Sequence, residues 1–312
     1  MDVVVIGAGM AGLSCAELLT AQGHAVRVFD KGRGPGGRMA TRRMEVDGST
    51  LQFDHGTPFF DVRDAGFAAR VAEWEAAGVV ARWPAAGADA WVGTPAMNAP
   101  VRAMADRCGA VFGKRAERLE RDGSGCQIAF EDGATVTCEA AIVAFPAEQA
   151  GVLLADTAPD FAALAQGVVS DPCWTLMTHF AERVQVEADL LATDAALNWA
   201  IRNGAKPGRD TAQECWVIQA GADWSRRHLE DPREEVADRL LAAFAERAGC
   251  ALPTPIAVQA HRWRYSQVRD AGKGPLWDAK ARIGACGDWL TGGDVEGAFL
   301  SGSELAKRIG SA

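Results

Sequence analysis

"DVVVIGAGMAGLSCAELLTAQGHAVRVFD", residues 2–30, decides the fold. Residues 2–6 form an apolar run of strand length, residues 10–23 carry a helix ended by Gly23, and residues 25–30 read as a second strand. Strands apolar on both faces belong to a buried parallel sheet, so the stretch is a βαβ opening. Between the first strand and the helix stands "GAGMAG", Gly7 to Gly12, with Met10 and Ala11 opening the helix. Gly7 permits a tight turn, Gly9 lets the backbone approach a pyrophosphate at the helix N-terminus, and Gly12 lets helix and strand pack closely. Asp30 closes the second strand, where its carboxylate can accept hydrogen bonds from a ribose diol. In this frame the glycines predict a dinucleotide site, without separating a nicotinamide dehydrogenase from a flavoprotein.

Two further stretches bear on that choice. A nicotinamide site normally runs from the acid into the next βα unit, whereas here "KGRGPGGRMATRR", residues 31–43, supplies Lys31, then Gly36 and Gly37, then Arg38 and Met39. Paired glycines allow close backbone approach, and a fixed guanidinium can neutralise phosphate oxygens or hold flavin carbonyl oxygens. Arg42 and Arg43 receive no role. In "GACGDWLTGGDVEGAFLSGSELA", residues 284–306, a strand, Gly287-Asp288 and a small-residue turn feed a helix. Asp288 can hydrogen-bond a ribityl or pyrophosphate-side group, and the helix N-terminus can face a flavin ring that becomes anionic on reduction.

The remaining chain sets bounds. With 312 residues, 48% of them hydrophobic, it is long enough for two domains. A formal charge of −9 argues against a nucleic-acid or anionic-membrane surface, so the basic loop serves something local. The eight cysteines show no CxxC pairing and read as small core residues, with no metal site. No apolar run has membrane-spanning length and the glycine signature begins at Gly7, so a cytoplasmic chain with reduced thiols is expected. A helix is expected near residues 66–80, a turn feeding a helix in "WVGTPAMNAPVRAMADRCG", and an antiparallel meander around Asp122-Gly123 and Asp132-Gly133. Beyond residue 148 come strands "CWTLMTHFA", "LNWAIRN", "ECWVIQA" and "PIAVQAHRWRY", and a helix with Asp231 as N-cap, Pro232 at its first position, and Val236, Leu240 and Phe244 at helical spacing. The fold class is therefore α/β: a Rossmann-type domain begun at residue 2 and completed after residue 280, with an α+β substrate domain built on an antiparallel sheet inserted.

Together "VVVIGAGMAGLSCAELLTAQGH", "VFDKGRGPGGRMATRR", "WVGTPAM", "NWAIRNGAKPGRD", "DWSRRHLEDPREEV", "AHRWRYSQ" and "CGDWLTGGDVEGAFLSG" resemble the bacterial renalase-type flavoproteins of the monoamine-oxidase and hydroxybenzoate-hydroxylase fold group. The resemblance runs over nearly the whole chain. It implies non-covalent FAD across Gly7 to Gly12, Asp30 to Met39 and Gly287 to Ala298, including Val295 and Glu296, with a backbone contact to adenine near Ala116. It implies a discontinuous FAD-binding domain of residues 1–60, 92–150 and 278–312, and a substrate domain of 61–91 and 151–277. The implied activity oxidises the 2- or 6-dihydro isomers of NAD(P)H to NAD(P)+ by hydride transfer to flavin N5, with O2 becoming H2O2.

The residue inventory suits that chemistry. A dihydropyridine that gives up hydride becomes an aromatic cation, so no carbon-bound proton need be removed and no general base is required. No Ser/His/Asp or paired-carboxylate constellation is assembled. His55, in "DHGTPFF", stands where the family pattern is expected to be apolar, and is a candidate pocket residue with Trp289, which the resemblance puts beside the flavin. Phe59, Arg63, Asn203 and Arg262 are the substrate-side candidates. The substrate partners are a small dinucleotide and O2; the oligomeric state is left open. An amine oxidase, a flavin-binding sensor without turnover, and an aromatic-hydroxylating monooxygenase are the competing readings. A single tyrosine, Tyr265, limits the aromatic cage that an amine oxidase would use.

Overall fold

The computed structural model describes residues 1–123, 125–192 and 196–311. The opening stretch forms the strand Asp2–Ile6, the helix Met10–Ala21 and the strand Ala25–Asp30. These strands lie side by side and parallel in a six-stranded sheet. In spatial order the sheet holds Leu276–Asp278, Ile283–Ala285, Ala140–Val143, Asp2–Ile6, Ala25–Asp30 and Val111–Phe112. Only the edge pair involving Leu276–Asp278 is antiparallel. Val3, Val4 and Val5 are fully buried, as two covered faces demand. The Rossmann-type sheet thus takes strands from both ends of the chain.

The closing helix Val295–Gly310 packs against Met10–Ala21 so closely that a Cβ at Gly302 would run into the Ala11 carbonyl oxygen and Ser14 Oγ. Ser14 Oγ lies 3.0 Å from Ala11 O and 2.9 Å from Phe299 O, so its one proton is shared between carbonyls of the two helices. Gly12 has the role expected of it, because a Cβ there would collide with the Gly7 carbonyl oxygen. Gly7 itself has φ of 117°, a conformation that favours glycine.

A five-stranded antiparallel sheet makes the second layer, in the order Leu190–Ala192, Leu197–Arg202, Glu214–Ala220, Ser170–Phe180 and Pro255–Val268. The helix Arg233–Ala248 covers one face, burying Val236, Leu240 and Phe244 against Trp174, Leu176 and Trp216. That helix begins one residue later than expected: Pro232 occupies the N-cap, and Asp231 turns instead to His228 Nδ1 at 2.7 Å. The meander appears as Ala116–Asp122, Gly125–Phe130 and Thr135–Cys138. Arg42–Val46 and Ser49–Phe53 form a hairpin whose Leu51 and Phe53 pack on Met177, Cys215 and Val217 of the antiparallel sheet. Among the described residues no helix is long and apolar enough to cross a membrane.

Candidate active site

A cleft of about 1320 Å³ runs between the C-terminal ends of the parallel strands and the antiparallel sheet. Single-ligand pockets occupy roughly 300–1,000 Å³, so this one has room for a dinucleotide and a second molecule. Its position is where open α/β sheets bind ligands. Gly9 is the N-cap of the first helix and brings no side chain to the first-turn N–H groups. A Cβ at Gly9 would meet nothing within 4 Å, so the protein's own packing does not require glycine there. Facing it is Gly37, at φ of 53°, whose added Cβ would stand 3.8 Å from Gly9 Cα. Two bare backbones and a helix N-terminus thus enclose a channel suited to a diphosphate.

The ends of that channel carry fixed charges. Asp30 Oδ2 accepts from Ala8 N at 2.7 Å and Oδ1 from Gly32 N at 2.6 Å, which orients the carboxylate along the cleft. Arg38 and Asp288 form a two-pronged pair, Nη1 to Oδ2 at 2.7 Å and Nη2 to Oδ1 at 2.5 Å, with Asp288 buried. The pair links the glycine loop to the turn after the sheet's last parallel strand. Glu296 is buried in the first turn of the closing helix, where Oε2 accepts from Arg63 N at 2.6 Å and Asp64 N at 2.9 Å. These donors and the bare cradle fit FAD.

The opposite wall is made of side chains. Arg42, Arg43, Gln52 and His55 come from the hairpin and the segment after it, Cys173 and Gln219 from central strands, Arg262 to Gln267 from the edge strand, and Arg233 from the covering helix. No Asp or Glu of the hairpin, these strands or the covering helix lines the cleft, whereas Asp61, six residues beyond His55, does. Arg262 and Arg264 both reach Glu230 at 2.7 Å, while Arg42, Arg43 and Arg233 have no acidic partner among the described residues. Cys173 Sγ is buried, and burial pushes its thiol up to about 11, which keeps it protonated and inert.

Three rings meet in this wall, His55 and Trp263 at the cleft and His261 outside its lining. His55, His261 and Trp263 lie with centroids 4.7 to 5.0 Å apart. His55 Nδ1 is 3.0 Å from Ala40 O, so that nitrogen carries the proton, and Trp263 Nε1 donates to His55 O at 2.9 Å. Burial, then His261 and Arg42, lower the His55 pKa to about 3; burial, then Arg42 and Arg233, lower that of His261 to about 4. Both imidazoles are neutral near pH 7.

Directly before His55 lies a group that sequence reasoning missed. Asp54, 1% exposed, accepts from Arg209 Nη2 at 2.6 Å, Lys206 Nζ at 3.3 Å, Thr41 Oγ1 at 2.7 Å and Met97 N at 3.0 Å. Burial alone would raise the carboxyl's pKa, but Lys206 and Arg209 outweigh it and hold the group well below the usual range. Burial lowers Lys206 to about 8 despite Asp54. The cluster ties four chain segments behind the site and fixes where His55 to Phe59 enter the cleft. "NGAKPGRD" holds both cations, but nothing local ties them to Asp54.

Of the residues singled out from sequence, Gly9, Met10, Ala11, Asp30, Lys31, Gly36, Gly37, Arg38, Met39, Gly287, Asp288, Val295, Glu296 and Ala298 line the cleft, as do His55, Phe59 and Arg262. Others lie elsewhere. Trp289 is 1% exposed in the core with Leu290, Ile283 and Ala285, turned away from the cleft because its ring fills the space above Gly287. Arg63 is turned to Asp294 and Glu296, outside the cleft lining. Asn203 is buried, donating to Gln52 O at 2.9 Å and accepting from Asp54 N at 3.2 Å, so its amide holds backbone. Ala116 pairs with Phe130 in the meander and does not line the cleft. Among the described residues no cluster of His, Cys, Asp and Glu could hold a metal.

Residues 5–86 match the family described as a NAD(P)-binding Rossmann-like domain, and residues 82–310 match that described as flavin containing amine oxidoreductase. A zeta-carotene-forming phytoene desaturase of Myxococcus xanthus is 52% identical over 48 residues, which is 15% of this chain and 9% of that protein. The chain spans about a tenth of the length of the curated relatives it matches. Similarity of fold extends further. A candidate protoporphyrinogen oxidase from Exiguobacterium sp. 255-15 superposes with a TM-score of 0.78 at 11% identity, covering 99% of this chain and 98% of that one. Wild-type putrescine oxidase bound to putrescine gives 0.74 at 12% identity, covering 100% and 99%. At such identities the likeness is one of fold.

Proposed function

Because this chain belongs to the flavin containing amine oxidoreductase family, we propose that it is an FAD-dependent oxidase of 2- or 6-dihydro isomers of NAD(P)H, forming NAD(P)+ and reducing O2 to H2O2. One observation carries the choice of substrate: the hairpin, the edge strand and the covering helix present arginines to the cleft and no carboxylate. Such a wall attracts an anionic dinucleotide and repels a protonated amine. Bound FAD supplies the hydride acceptor and the route of electrons to O2.

The chain's own groups bind and orient. The N–H groups at Gly9 to Ala11 and the Arg38–Asp288 pair would hold the cofactor, and Asp30 would take its adenine-side ribose. His55, Trp263 and Phe59 would form the apolar side of the ring pocket. With pKa values lowered to about 3 and about 4 the two imidazoles are weak bases, which suits a donor that loses hydride and no proton.

The test is anaerobic mixing of the flavin-loaded protein with ordinary NADH, with its 2- and 6-dihydro isomers, and with putrescine. Rapid bleaching of the flavin band by an isomer and not by NADH is expected, followed by H2O2 when air is admitted. Bleaching by putrescine alone would replace this reading with an amine oxidase.

A further inference from the structure

We propose that Arg42, Arg43 and Arg233 form an anion subsite that takes the substrate's diphosphate, on the antiparallel-sheet side of the cleft and separate from the glycine channel. Calling the ligand a substrate rests on the function proposed above; the subsite itself rests on where the charges stand.

Basic side chains line both walls, and on the glycine-loop side Arg33 and Arg102 have no acidic partner among the described residues. Arg38 is bound to Asp288, and Arg262 and Arg264 share Glu230. Arg42, Arg43 and Arg233 line the same cleft with no acidic partner among the described residues. They come from two distant parts of the chain, the hairpin strand Arg42–Val46 and the start of the helix Arg233–Ala248. The two parts converge on the edge strand Pro255–Val268, which Arg42 reaches through Gln259 and against which the helix Arg233–Ala248 packs.

Arg42 is also held in place. Its Nε donates to Gln259 Oε1 of the edge strand at 3.2 Å, which leaves the two terminal nitrogens of the fork for a ligand. Unpaired guanidiniums gathered at one place repel each other, and a dianion placed among them removes that cost. Guanidinium forks match phosphate oxygens in pairs, so a diphosphate fits better than a single carboxylate. Two diphosphates could claim these arginines, the cofactor's and the substrate's. The bare Gly9 and Gly37 backbones and the helix N-terminus already serve one, which leaves the arginines for the other.

The test uses ADP as probe and the FAD-loaded protein, followed by titration calorimetry at low and at raised salt. The wild type should bind ADP, more weakly as salt rises. The Arg42→Ala/Arg233→Ala double variant should bind roughly thirtyfold or more weakly, and Arg43→Gln roughly fivefold, with the flavin-to-protein absorbance ratio unchanged. These side chains are half-buried or exposed, so the variants should fold. ADP affinity unaltered in the double variant, or no binding by wild type, overturns the proposal. Flavin lost in parallel with ADP assigns the arginines to the cofactor and overturns it too. If ADP binding behaves as expected while no dihydronicotinamide isomer bleaches the flavin, the subsite stands and the substrate reading falls. If an isomer bleaches the flavin with the same KM in the double variant, the subsite alone falls.

Discussion

On one side of the cleft, ligand recognition is built from what the chain leaves out: Gly9 and Gly37 present bare backbone, and the first helix opens without a capping side chain. Across from it, recognition is built from what the chain adds, with arginines from a hairpin, an edge strand and a helix start standing over two neutral histidines. On the first side Arg38 is paired with Asp288 within the protein, while Arg33 and Arg102 have no acidic partner among the described residues. Three arginines on the second side likewise have none. A backbone cradle accepts one shape whatever else changes, whereas a side-chain wall can be altered residue by residue. The proposed function thus puts cofactor identity in the first side and substrate identity in the second.

The largest expected effect breaks the join between the two. Asp54→Ala leaves Lys206 and Arg209 buried without their counter-ion, and should cost about 3–5 kcal/mol, read as a lower midpoint in urea. A loss under about 1 kcal/mol would mean that the cluster does not seat the side-chain wall. Next, Asp288→Asn strips Arg38 of its charged partner while leaving the glycines intact. Flavin affinity should fall roughly tenfold to a hundredfold, measured by retention on dialysis, because a charge-assisted pair is worth about 1.5–3 kcal/mol. Full flavin retention would show that backbone alone holds the cofactor.

A smaller effect probes the histidines. Their folded pKa values, about 3 for His55 and about 4 for His261, lie below the unfolded value, so the neutral form is tied to the folded state. The stability they bring is fully present above about pH 6.5 and is lost as pH falls toward their folded values, since the unfolded chain then binds the extra protons. The His55→Gln/His261→Gln variant should show a shallower fall in melting temperature between pH 6.5 and 4 than wild type. Parallel curves would remove these rings from the account. Smallest of all, Glu230→Gln frees Arg262 and Arg264 at an exposed site; ADP should bind roughly twofold to threefold more tightly with melting unchanged. No gain would mean that these two arginines face away from the ligand.

The same division explains what the sequence made legible. A parallel strand, a glycine turn and a helix are contiguous, so the positions of Gly9, Asp30, Gly37 and Asp288 follow from local spacing. Asp54 finds Lys206 and Arg209 only because the antiparallel sheet folds back on the hairpin, and no local pattern encodes that distance. Trp289 differs from the expectation for a related reason: adjacency to Asp288 fixes where its backbone lies, but Gly287 leaves a space that the indole fills on the core side. Asp231 has the composition of a cap, yet His228 and Arg239 compete for its carboxylate and win.

The parallel sheet has a consequence in time. Ala140–Val143 pairs with Asp2–Ile6 on one side and with Ile283–Ala285 on the other. Ribosomes add about 5–20 residues per second, so roughly 140 residues of intervening chain keep that second edge waiting for about 7–30 s. The nascent protein holds its glycine cradle early and the aspartate that closes it late. Loading with flavin is thus deferred until Ile283–Ala285 and Asp288 have been made, and the strand edge stays open until then.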